Sequence, residues 1–158
     1  MSTRTINETV RETALGLQAT KTLASAATAD MFTVTGEVWV TLMYGIVTGV
    51  GDGGATTIAI NEKADSIAIA AATTVTSDAV GEVYVVVGDG TLILNGTANV
   101  PHLKTAYGLA TITLDGWLMD GQDGLTIELT ETGTDATHAV KWVINYIPLE
   151  DDASIVAA

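Results

Sequence analysis

The stretch GLTIELTETG, residues 124–133, alternates without a break: Leu125, Ile127 and Leu129 fall on one side, Thr126, Glu128 and Thr130 on the other. Successive side chains of a strand point to opposite faces, so this period of two marks a strand with one buried face. Similar runs recur along the chain. MFTVTGEVWVTLMYGIVT (31–48) alternates after Gly36, predicting Val38, Val40, Leu42, Tyr44 and Ile46 on one face and Glu37, Trp39, Thr41, Met43 and Val47 on the other. TTIAIN and SIAIA offer Ile58, Ile60, Ile67 and Ile69 as inward residues, with NEKAD as the hairpin between them. EVYVVV and TLILNG are joined by GDG, where Asp89-Gly90 signals a hairpin. HAVKWVINYIPL places Val140, Trp142, Ile144 and Tyr146 on one face, and Pro148, which lacks an N–H donor, ends the ladder.

Roughly eight to nine short strands at near-regular spacing, with no helix long enough for a βαβ crossover, predict an all-β fold. The expected architecture is a two-sheet antiparallel β-sandwich or jelly roll. Residues 1–28 lack a clear period and read as an extended N-terminal arm. Residues 29–148 form the sandwich domain, and residues 149–158 a C-terminal tail. That tail, LEDDASIVAA, turns on acids and then finishes on apolar residues. Because a terminus is normally frayed and polar, this one is expected to be covered by a neighbouring subunit or another surface.

Charge narrows the partners. The chain carries a net charge of −13 with only six Lys and Arg, which argues against direct nucleic-acid binding and against docking on an anionic membrane. Residues 1–28 hold three cations against two acids, a net of +1, leaving −14 for the remainder. No apolar run approaches the length of a membrane helix, and MSTRTINETVRET has no apolar region of the kind a signal peptide requires. The absence of cysteine excludes disulfides and thiolate chemistry within this chain.

The residues nominate no enzyme and no cofactor. His102 and His138 lie in or beside Gly- and Thr-rich segments, outside any HxH or HExxH pattern, and read as surface or turn histidines. GVGDGG (49–54) lacks the Lys and following helix of a phosphate loop. Asp115, Asp120 and Asp123 sit close together in DGWLMDGQDG; a hard cation favours such oxygens, but Asp-Gly pairs also serve turns for backbone reasons, and no metal is assigned. Glu150, Asp151 and Asp152 read as a solvated turn. Trp39 shares its predicted face with Glu37 and Thr41, while the opposite face already supplies the apolar residues. Trp39 with Met43 is therefore a candidate subunit contact, and Leu15, Leu17, Leu23, Ile155 and Val156 complete the candidate interface.

The closing VKWVINYIPLEDDASIVAA, the opening ATADMFTVTGEVWVTLMYGIVT and the intervening DGWLMDG resemble tailed-phage capsid decoration, or cement, proteins in pattern and composition over most of residues 15–158. That resemblance implies a β-sandwich or jelly-roll body, a homotrimer, and a position on the outer capsid surface of the virion. It implies the major capsid protein as partner, with the decoration protein reinforcing contacts between its subunits. A head-fibre or tail-associated structural protein is the alternative within that setting. A carbohydrate-binding β-sandwich module, using Trp39 or Trp117 with Asp115, Asp120 and Asp123, is the alternative outside it.

Overall fold

A computed structural model describes residues 16–24, 28–91, 93 and 116–158. Among them are eight strands and no helix: β1 (Leu17–Ala24), β2 (Ala29–Gly49), β3 (Thr56–Glu62), β4 (Ala68–Thr74), β5 (Val83–Val86), β6 (Trp117–Gly133), β7 (Ala139–Pro148) and β8 (Ser154–Ala157). Every pairing is antiparallel, in the order β1-β7-β2-β6-β3-β4, with β5 and β8 also paired to β2. The all-β antiparallel class is as the alternation predicts, and the arrangement is consistent with a β-sandwich.

The 21-residue β2 is the spine. Along one edge it meets β6 over Ala29–Val40 and then β5 over Met43–Ile46. Along the other it meets β8 over Phe32–Thr35 and then β7 over Val38–Gly49. β2 thus changes partners along both edges, and its inward residues contribute to the core from Met31 to Val47. Beyond β5 the chain reaches β4: Gly90 N donates to the Ile69 carbonyl (3.2 Å), and Ala71 N donates to that of Thr91 (2.9 Å). The GDG segment thus leads to β4 among the described residues, where the Asp-Gly signal predicts a return along β5. The NEKAD hairpin is present, with Glu62 N bonded to the Ile67 carbonyl.

Phe32, Val34, Met43, Ile58, Ile60, Tyr84, Ile127, Trp142 and Ile144 fill the interior. The largest ring, Trp142, lies against Gly45, its cross-strand partner. A Cβ there would stand 2.9 Å from Cε3 of the indole, so only glycine admits the ring at this spacing.

Three expectations are corrected. First, the alternation of β2 reverses at Thr41. Val40 pairs with Tyr146 and Leu42 with Asn145, leaving Thr41 as an extra residue whose hydroxyl donates to the Asn145 carbonyl (3.2 Å). A one-residue bulge shifts every later side chain to the opposite face. Met43 and Val47 are therefore core, while Leu42, Tyr44 and Ile46 are only half-buried. Second, the described part of the 1–28 arm is a sheet strand. β1 pairs with β7 from Leu17↔Tyr146 to Ala24↔Ala139, and Gln18 Nε2 donates to Asn145 Oδ1 (3.0 Å). Third, the tail is covered by its own chain. Ala153 N bonds back to the Glu150 carbonyl, the chain reverses, and β8 pairs with β2. Ile155 is buried beside Val34, and Ala158 N reaches the Met31 carbonyl.

Candidate interaction surface

Before the Thr41 bulge the alternation of β2 holds, with Val38 and Val40 inward and Glu37 and Trp39 outward. The ladder then fixes Trp39's neighbours. Leu118 on β6 and Ile147 on β7 are its direct cross-strand partners. Directly opposed residues share a face, with Cβ atoms about 4.5–5.5 Å apart. Leu118 is 55% and Ile147 44% exposed, so Leu118–Trp39–Ile147 is an apolar row across three adjacent strands, open to solvent.

A second row runs beside it. Glu37 pairs with Asp120, and Leu149 N donates to the Glu37 carbonyl (2.9 Å), giving Asp120–Glu37–Leu149. The Glu150 carboxylate joins this row by accepting from Glu37 N (3.2 Å). Apolar surface and carboxylates thus lie side by side on the outer face of β6-β2-β7.

At Leu118 the face opens into a groove. One stretch, about 280 Å³, is lined by Ile67, Trp117, Leu118, Met119 and Asp120 among others. The adjoining stretch, about 330 Å³, carries Glu62, Asp65, Asp120 and Asp123. Asp120 and Asp123 come together because Val34 pairs with Leu125 but Gly36 with Gly121, so Gln122–Gly124 loop out of β6. No cluster of three or more metal-ligating side chains occurs among the described residues. Asp115 lies outside them. Glu62 is already engaged by the Ala64 and Asp65 N–H groups (2.7 and 2.6 Å), which cap the hairpin.

The sequence-nominated contacts therefore separate. Trp39 is half-buried on the exposed face, whereas Met43 is fully buried. Ile155 is core and Val156, next to it, is 53% exposed. Leu17 is exposed at the start of β1, and Leu23 packs against the core. Leu15 lies outside the described residues. Leu118 and Ile147 escaped the sequence reading because partners across strands are invisible until register is known.

A buried polar cluster occupies the end of the molecule where β2–β3, β4–β5 and β6–β7 connect. Tyr84 Oη donates to Asp78 Oδ2 (2.6 Å) and lies 3.0 Å from His138 Nε2. With the phenol donating to the carboxylate, His138 Nε2–H donates to the phenol oxygen. Asp78, Glu82, Asp135 and His138 are each 1% exposed, so His138 is an interior histidine, not a surface one. Burial disfavours its imidazolium and pushes its pKa below the ordinary value, although Asp135 and Asp78 pull the other way. Burial raises Asp135, but N–H groups of Thr137, His138 and Asp52 outweigh it and hold that carboxyl below its ordinary value. This cluster ties three loops together. The signal in sequence was the Asp and His of TDATH, two polar residues immediately before the start of β7.

No family model, curated protein or solved structure matches this chain.

Proposed function

We propose that this chain is a structural assembly protein that decorates the outer surface of an icosahedral phage head and reinforces contacts between major capsid subunits, as a homotrimer. The observation that carries the reading is the exposed Leu118–Trp39–Ile147 row, since contiguous apolar surface on a folded domain marks a site of protein contact. A tryptophan at its centre fits, because tryptophan is enriched where binding energy concentrates. The resemblance of residues 15–158 to decoration proteins supports the setting, and the −13 net charge supports solubility before assembly. The test is solution mass together with heat resistance of expanded heads. A trimer that binds heads and raises their rupture temperature supports the proposal; a monomer that ignores heads at high concentration refutes it.

A carbohydrate-binding module is the second reading. It draws on the groove, where Trp117 and Asp120 line the same stretch, an aromatic residue near a carboxylate able to accept from sugar hydroxyls. Glycan-array binding that disappears in Asp120→Ala favours it, and silence across the array counts against it.

A further inference from the structure

We infer that the outer face of β6-β2-β7 docks a basic, apolar-bearing surface of a different protein, and not a second copy of this chain. The inference rests on the assembly reading and names the chemistry of the partner. Its basis is the pairing of two rows. Leu118–Trp39–Ile147 supplies apolar area, and Asp120, Glu37 and the Glu150 carboxylate run along its side. The groove beyond Leu118 extends the same sign with Glu62, Asp65 and Asp123. Among the described residues, no lysine or arginine lines either stretch of that groove.

A self-complementary contact about a two-fold axis brings the same patch against itself. With the axis along the strands, this sets carboxylate against carboxylate in a partly dehydrated interface, which is costly. A head-to-tail contact between copies needs a basic patch elsewhere on the chain. Among the described residues Lys63 is bonded to Asp30 (2.7 Å) and Lys21 to the Ala158 carbonyl. The third, Lys141, sits opposite Ile46, six residues along β7 from Ile147 and so about 20 Å away. These three are dispersed, so the described residues present no basic counterpart to the face. A partner strip with an apolar centre and Lys or Arg along one side matches both rows at once.

The experiment uses two short peptides of alternating sequence, Lys–Val and Glu–Val, titrated into the full chain while backbone amide NMR shifts are followed. The expected result is that Lys–Val shifts residues of the β6-β2-β7 face and Glu–Val does not. Added salt should weaken the response, and Trp39→Ala should weaken it about tenfold. The double variant E37K/D120K, with its spectrum showing an intact fold, should exchange the preference to Glu–Val. Equal response to both peptides, response elsewhere, or no response overturns the inference. So does dilution-dependent shifting of this face, which would make a second copy its occupant. Failure of the two readings is separable. Lys–Val binding without head binding defeats the capsid assignment alone; head binding unaltered by E37K/D120K defeats the docking face alone.

Discussion

Trp39 and Met43 stand four residues apart on β2 yet face opposite sides of the sheet, Trp39 toward solvent and Met43 into the core, because Thr41 bulges between them. An uninterrupted strand would place both on one face. The bulge therefore decides which of the two is available to another molecule.

Replacing each by alanine should separate the roles. Met43→Ala removes a fully buried side chain and should cost about 2–5 kcal/mol in urea unfolding. Trp39→Ala should cost less, since its ring is only half-buried, yet should impair assembly more. Equal stability losses in the two variants would contradict the assignment of faces.

Truncation at Asp152 removes Ala153 and all of β8. Were these residues a tail covered only by a neighbouring subunit, as the sequence leads one to expect, their loss would spare the fold. The ladder to Phe32–Thr35 and the burial of Ile155 instead predict a clearly lower melting temperature. Ile155→Ala should reproduce about 2–5 kcal/mol of that loss, whereas the exposed neighbour change Val156→Ala should stay within about 0.5 kcal/mol. Calorimetry of the three variants checks this.

Stability should fall on acidification. His138 has a folded pKa below its ordinary 6.5, so the unfolded chain binds its proton first as pH drops. Its contribution is complete above about pH 6.5 and declines through the window beneath it. Asp135, also lowered, acts with the same sign beginning near 3.8. Urea midpoints measured across this range should decline below neutrality, and His138→Asn should remove the upper part of the slope. A midpoint that rises toward pH 5 would show the sign to be wrong.

Tyr84→Phe deletes one hydroxyl shared by Asp78 and His138 in a buried site. Loss of that hydrogen-bonding group should cost about 1–3 kcal/mol. Amide exchange should quicken in the connections around residues 75–82 and 134–138 more than in β7.

The clean periods were legible in sequence. Ile58, Ile60, Ile127, Leu129 and the even-numbered face of β7 are buried as the alternation predicts. Ile67 is not, at 61% exposure, because it belongs to the hairpin connection before β4 begins. The bulge at Thr41 left no mark, since threonine suits a regular strand and a bulge equally well. The docking of Leu17–Ala24 and Ser154–Ala157 was hidden for another reason: each depends on a ladder to residues more than a hundred positions away. Of the candidate surface, Trp39 was legible from the polar company on its face. Its neighbours Leu118 and Ile147 were supplied by register, which one strand's sequence does not contain.

The most direct measurement is co-sedimentation of the full chain with expanded, DNA-filled heads lacking their decoration protein, comparing wild type with Trp39→Asp after both are shown to be folded. Wild type is expected to bind saturably and the variant to lose binding, since a buried unpaired carboxylate at the centre of an apolar contact is strongly unfavourable. Wild type that leaves heads bare, or a folded Trp39→Asp variant that binds them equally well, would contradict that expectation.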